Sequence, residues 1–149
     1  MITTKWLLGS DDLEDAWLIR RKVFIEEQNV PEDLEMDGAD AKALTLVAYD
    51  SGKPVATGRL IFSDSAALIG RVATLKEERK NGYGDLIMRM LIRKAYDSGF
   101  DEQVVHAQIG ALGFYKKLGF SAYGQEYLEA GIPHISMSRR GDAPKNCSC

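Results

Sequence analysis

The sequence predicts a single α+β (mixed α/β) domain built on a mostly antiparallel sheet flanked by helices, with one parallel strand pair. Three observations predict it. Apolar runs at 44–50, 55–62 and 67–75 are joined by short polar turns, the pattern of an antiparallel meander. A periodic apolar segment at 84–98 then separates the third run from a fourth at 103–108. Such a strand–helix–strand unit makes its two strands parallel. At 149 residues the chain is one domain by length, able to bury about two-thirds of its unfolded surface around one core.

In order along the chain, Trp6-Leu7-Leu8 reads as a short first strand. Ser10 or Asp11 caps a helix over 12–24, whose apolar positions Leu13, Ala16, Trp17, Ile19, Val23 and Phe24 fall near helical spacing. Pro31 breaks the chain, and Glu32-Asp33-Leu34-Glu35 adds a short turn. Asp50-Ser51-Gly52-Lys53-Pro54 is a hairpin turn between the second and third strands, and Ser63-Asp64-Ser65 turns into the fourth. The long helix ends at Gly99, which supplies the left-handed C-terminal stop. A short helix ends at Gly119, and strands at 121–128 and 132–138 complete the order. The domain is expected to occupy 1–140, with 141–149 a flexible tail.

Composition narrows the function classes. Net charge is −3, from 19 Lys and Arg against 22 Asp and Glu, so nothing draws the chain to nucleic acid or an anionic membrane. No apolar stretch is long enough to span a bilayer, and the N-terminus lacks the apolar core of a signal peptide. The only cysteines, Cys147 and Cys149, sit in the last three residues and make no disulfide framework. A reducing cytoplasm is the expected compartment. His106 and His134 do not have metal-ligand spacing, so no metal is expected.

The most informative stretch is Arg79-Lys80-Asn81-Gly82-Tyr83-Gly84, between an apolar strand and a helix. A glycine-bearing loop there presents backbone N–H groups at a helix N-terminus, a site for phosphate. It is not a P-loop, because Gly84 is followed by Asp85 and Leu86. Nor is it a dinucleotide fingerprint, because the third small residue is replaced by Ile87. Some thirty residues on, the strand at 103–107 passes through Gln108 into the segment Phe114-Tyr115-Lys116-Lys117-Leu118-Gly119-Phe120.

Together these segments resemble the GNAT superfamily of N-acetyltransferases. Arg71 to Leu75 with Arg79 to Gly84 is similar to its acetyl-CoA strand and pyrophosphate loop, and Phe114 to Phe120 is similar to its F-Y-x-K-x-G-F segment. Arg21 to Pro31 and Glu129 to Met137 are similar to segments of the ElaA-like branch. The resemblance implies that strands four and five splay apart around the pantetheine arm. It also implies cofactor contacts from Val72, Ala73, Thr74, Arg79, Lys80, Asn81, Gly82, Tyr83, Gly84, Gln108, Phe114 and Tyr115. Lys80 departs from the family, which often has glycine there. The segment 20–37 is expected to wall the substrate pocket, and Arg20 and Arg21 either hold an anionic acceptor group or face solvent.

Acetyl transfer to an amine requires that the cofactor be held, the amine made neutral, the oxyanion stabilised and the leaving thiolate protonated. Backbone N–H groups of Val72 to Thr74 are the oxyanion candidates, or else Val72 and Ala73 are ordinary buried strand residues. Tyr115 occupies the family's acid position, although a packed aromatic beside Phe114 reads the same way. His134 is a candidate base because histidine titrates near neutral pH, or it is structural. Glu27, Glu35, Asp37 and Glu129 are other candidates, with Glu27 and Glu129 assigned to substrate binding. His106, in an apolar strand, is expected in the core or the cofactor gap. The expected function is direct acetyl transfer from acetyl-CoA to a small primary amine, without a covalent acyl-enzyme, by a monomer or homodimer. The alternative is a silent acyl-CoA-binding module.

Overall fold

The computed structural model describes residues 1–145, so Cys147 and Cys149 lie outside the described residues. Seven strands form one sheet: β1 (Ile2–Leu7), β2 (Leu44–Asp50), β3 (Lys53–Phe62), β4 (Ala67–Thr74), β5 (Glu102–Gln108), β6 (Ser121–Glu129) and β7 (Ile132–Arg140). Their spatial order is β1-β2-β3-β4-β5-β7-β6. Every neighbouring pair is antiparallel except β4 and β5. The expected mixed sheet with one parallel pair is therefore what forms.

Both faces of the sheet are covered, which explains why β2 reads as a nearly continuous apolar run. Leu46 and Ala48 point into one core, shared with Ile87, Met88, Leu91, Ile92 and Ala95 of helix α3 (Tyr83–Asp97). Val47 points the other way, into a core with Ala16 and Ile19 of helix α1 (Glu14–Arg20). Alternation along a strand places consecutive residues on opposite faces. The buried set on α3 follows i, i+1, i+4, i+5, i+8, one stripe of an amphipathic helix.

Two hairpins fix the register. Ser51 (φ 50°) and Gly52 (φ 85°) form the two-residue turn between Asp50 and Lys53. Ala130 (φ 52°) and Gly131 (φ 77°) do the same between Glu129 and Ile132. Positive φ at both central residues is what a type I′ hairpin requires.

The first helix differs from expectation. Asp11 accepts from the Leu8 N–H at 2.7 Å, and Asp12 accepts from the Glu14 N–H at 3.0 Å, so the helix starts at Glu14. After Arg20 it widens into a seven-residue π-helix over Arg21–Glu27, and the Gln28 N–H bonds the Val23 carbonyl five residues back at 3.1 Å. π turns occur often where a helix borders a functional site. A short helix α2 (Glu32–Glu35) follows, and α4 (Leu112–Lys117) comes after β5. The segment after β7 is fastened: the Gly141 N–H bonds the Asp101 carbonyl at 2.8 Å, and Arg139 donates to the carbonyls of Gly141 and Asp142 at 3.0 and 2.8 Å. The expected free tail thus does not begin at Gly141. Among the described residues no helix is long and apolar enough to cross a membrane.

Gly58 on β3 seats α3. A β-carbon there would lie 2.6 Å from Leu91 Cδ1 and 2.7 Å from Ile87 Cγ2. Gly58→Ala should therefore cost about 1–3 kcal/mol by overpacking. A denaturant midpoint lowered at unchanged slope would show it, and an unchanged midpoint would mean that α3 does not sit this close.

Candidate active site

The site begins where β4 and β5 part. They pair only from Ala67–Gln103 to Ile69–Val105, although β4 continues to Thr74 and β5 to Gln108. A register shift between Thr57 and Arg59 of β3 sets two β3 residues against Gly70 and Ala73, so β4 carries an extra residue there. Arg71 lies in that bulge with φ 51°, left-handed backbone that costs a non-glycine residue about 1 kcal/mol. The bulge turns β4 away from β5 and opens a wedge.

The wedge leads into a cleft of about 740 Å³ lined from both sides of the sheet. Val72, Ala73, Thr74, Arg79, Gly84, Gln108, Phe114, Tyr115, Glu129 and His134 all line it. Lys80, Asn81, Gly82, Tyr83 and Glu27 are not in its wall; the loop residues ring the N-terminus of α3 beside Gly84.

That N-terminus is an open cradle of donors. Among the described residues, none accepts a hydrogen bond from the N–H of Lys80, Asn81, Gly82, Tyr83, Gly84 or Asp85; the first turn bond is Leu86 N–H to the Gly82 carbonyl at 3.0 Å. Gly82 (φ 81°) and Lys80 (φ 69°) both adopt left-handed backbone. This gives the physical reason for glycine at the Lys80 position: the loop needs positive φ there. At Gly84 a β-carbon would sit 3.5 Å from Phe114 and 3.8 Å from Thr74 Oγ1, so the cradle, β4 and α4 converge. Unsatisfied N–H groups at the positive end of a 15-residue helix suit a phosphate group. The residues present therefore fit the pyrophosphate of a coenzyme A thioester.

The Arg79 side chain is otherwise engaged. It donates to both oxygens of Glu27 at 2.7 Å and to the Thr74 carbonyl at 3.1 Å. The Arg79 hydrogen bond lowers the Glu27 carboxyl below its ordinary range, against the opposing effect of burial and with help from the charges of Arg79 and Lys76. Glu27 thus fastens the π-helix to the loop, where the sequence suggested a substrate ligand.

Tyr115 packs edge-on between Phe114 (centroids 5.1 Å) and Phe120 (5.8 Å). Burial pushes its hydroxyl up to about 12, so it is protonated throughout the physiological range.

The opposite wall is a buried charge network that sequence reading missed. Arg20, expected at the surface or on an acceptor, is 2% exposed and donates to Glu35 and Asp40, each at 2.8 Å. Arg59 reaches Asp37 at 3.0 Å and Asp40 at 3.3 Å. Arg71 reaches from the bulge to Asp37 and Glu35, each at 3.0 Å, and donates to the Leu34 and Glu35 carbonyls at 3.1 and 3.3 Å. Only Arg21 fits the solvent-face expectation, 3.6 Å from the exposed Glu32. The available signal was an arginine inside two of the apolar strand runs, at 59 and 71, which demands carboxylate partners. Burial raises the Glu35 carboxyl, offset in part by Arg71 and Arg20. At Asp37 burial is outweighed by hydrogen bonds from Arg59 and the Ala39 N–H and by the charges of Arg59 and Arg71, which bring it down to about 2.

On the third side, β5, β6 and β7 bring His106, Glu129 and His134 together. His106 is not in the core: its side chain is 42% exposed in the cleft wall. Among the described residues, no three His, Cys, Asp or Glu side chains are placed so that they could hold a metal ion together.

Comparison with known proteins agrees with this architecture. An acetyltransferase (GNAT) domain matches residues 10–140. The uncharacterized N-acetyltransferase YjcF of Bacillus subtilis is 38% identical over 132 residues, covering 88% of this chain and 94% of that protein. An acyl-CoA N-acyltransferase from Pseudomonas aeruginosa superposes with TM-score 0.85 at 29% identity, over 93% of this chain and 99% of that one. Escherichia coli ElaA superposes with TM-score 0.84 at 27% identity, over 94% and 100%.

The network carries a pH signature. Because the folded Asp37 carboxyl lies below its unfolded value, its contribution is present above about pH 4 and is lost as pH falls toward 2. Discounted for its partial exposure, that contribution is about 1 kcal/mol. Asp37→Asn should flatten the loss of stability between those pH values in acid denaturation. An acid limb as steep as that of the wild type would assign it to other carboxylates.

Proposed function

This chain belongs to the GNAT acetyltransferase family, and from that premise we propose that it transfers an acetyl group from acetyl-CoA directly to the primary amine of a small molecule. The observation that carries the proposal is the wedge between β4 and β5, with the donor cradle at one end and Tyr115, Glu129 and His134 in its wall. The acetyltransferase domain spans 1–140.

The N–H groups of residues 80–85 hold the pyrophosphate, with Gly82 and Gly84 allowing close approach. Gln108 and Phe114 line the course of the pantetheine arm. When bound, acetyl-CoA supplies the thioester whose carbonyl carbon accepts the amine. The main-chain N–H groups of Val72 and Thr74, on the β4 edge that has lost its β5 partner, face the developing oxyanion, whereas the Ala73 N–H turns toward β3 in step with the Leu75 N–H that bonds the Val55 carbonyl. Such preset donors are worth about 3 kcal/mol in a dry site. Tyr115 donates its hydroxyl proton toward the departing sulfur. The raised value keeps the proton on the phenol in the resting cleft, so that it is present when charge develops on the sulfur. His134 takes the proton from the acceptor, since only about 0.1% of an alkylamine is neutral at pH 7. Attack on the thioester is direct, without a covalent acyl-enzyme.

Thiol release measured with acetyl-CoA and a panel of small amines tests the reading. Turnover supports it; binding without release on any amine would favour a silent acyl-CoA-binding module. Tyr115→Phe should lower kcat about 100-fold while calorimetric affinity for acetyl-CoA changes little. A wild-type rate would remove Tyr115 as the acid.

A further inference from the structure

The acceptor side of the cleft holds both histidines of the chain with one carboxylate between them. Resting on the reading of amine acetylation, we propose that His134, Glu129 and His106 form a relay that carries the acceptor's proton out of the cleft to solvent. Transfer of an acetyl group from a thioester to an ammonium group releases one proton net, so a buried base needs an exit.

The geometry sets the direction. His134 is only 7% exposed, and its Nδ1 lies 2.6 Å from the Ile132 carbonyl. A carbonyl oxygen only accepts, so Nδ1 carries the proton and the neutral ring keeps its lone pair on Nε2. Nε2 stands 3.8 Å from Glu129 Oε2, too far for a hydrogen bond but within ion-pair reach. The lone pair is therefore free to accept from an amine. The other carboxylate oxygen, Oε1, lies 3.4 Å from His106 Nδ1, and the His106 side chain is 42% exposed. Exposure rises once, from His134 at 7% to Glu129 at 44% and His106 at 42%, so the order leads from the buried ring to two exposed side chains.

The fold holds this order rigidly. The type I′ turn at Ala130–Gly131 pairs Glu129 with Ile132, the residue whose carbonyl fixes the His134 ring. Pairing of Gln108 with His134 and of His106 with Ser136 sets both imidazoles on one face of the sheet. The Tyr127 ring stacks on His134 and meets His106 edge-on, each at 6.0 Å. Across the cleft stand Glu35, Asp37, Arg59 and Arg71, which are paired with one another.

The proton steps balance. The acceptor's N–H bond breaks as Nε2–H forms on His134, leaving the amine lone pair free for attack. After attack the nitrogen's second proton returns to Tyr115, which has given its own to the departing sulfur, so one proton remains to leave the cleft. Glu129 stabilises the imidazolium, then takes the proton on Oε2. A half-turn of the carboxyl presents it to His106 Nδ1, and the exposed His106 ring releases one proton to water. Glu129 and His106 thus act through His134, as positioning and relay groups.

Four variants, His134→Gln, Glu129→Gln, His106→Gln and His106→Ala, are assayed for thiol release across pH, with acetyl-CoA calorimetry as the check on folding. His134→Gln should lower kcat at least about 100-fold, and Glu129→Gln and either His106 variant about 10-fold. Imidazole in the buffer should restore the His106→Ala rate and leave His134→Gln unrescued. In 15N spectra, which contain only two imidazoles, neutral His134 should carry its proton on Nδ1. Wild-type kcat and pH profile in Glu129→Gln and His106→Ala would overturn the relay, as would a His106→Ala loss that imidazole does not restore or an Nε2-protonated His134. A wild-type protein that releases no thiol on any amine would instead remove the acetylation reading itself, and the relay with it.

Discussion

Arg71 is the constraint on which the rest of the site depends. Its left-handed backbone in mid-strand makes the bulge that ends the β4–β5 ladder after three residue pairs. Its side chain reaches from that bulge to Asp37, Glu35 and two backbone carbonyls of the segment after α1. Backbone strain of about 1 kcal/mol persists only where the surroundings over-determine it, and here they are a network of three arginines and three carboxylates. One residue thus opens the wedge and anchors the wall that faces it.

The network is balanced in charge, which bears on what the cleft can bind. Arg59 and Arg71 face carboxylates already within ion-pair distance, so the wall offers little surplus charge to an acceptor. A buried pair of this kind contributes little net stability, but removing one partner strands the other charge. Its role is positional: it fixes where the segment around Leu34 to Asp37 stands relative to the wedge. At the other end Glu27 and Arg79 tie the π-helix to the phosphate cradle in the same way. The segment from the π-helix to Asp37 is therefore stitched to β4 and the loop after it at two points.

Much of the fold was legible because it is written in local patterns. The Ser51-Gly52 turn, the apolar stripe of α3 and the strand–helix–strand order each have a one-to-one physical reading, and together they specify the mixed sheet. The open donors before α3 were legible for the same reason, since glycines ahead of a helix leave N–H groups without partners. The missed features are all non-local. Arg20 sits on a helix face that looks solvated until Glu35 and Asp40, fifteen and twenty residues on, fold over it. The π-helix has no composition signature. His106 reads as a core or cofactor-gap residue in an apolar strand, and only the β5–β7 register decides between the two by putting its face of the sheet on the cleft.

The central claim is that the splayed strands and the donor cradle form a coenzyme A site. Isothermal titration calorimetry of the wild-type chain with acetyl-CoA, set against Gly82→Trp and against ATP and NAD, tests it most directly. The account predicts selective binding of acetyl-CoA, weakened at least about tenfold when a bulky side chain at a positive-φ position blocks the cradle. Folded protein that binds no acetyl-CoA, or binds it equally well with tryptophan at position 82, would contradict it.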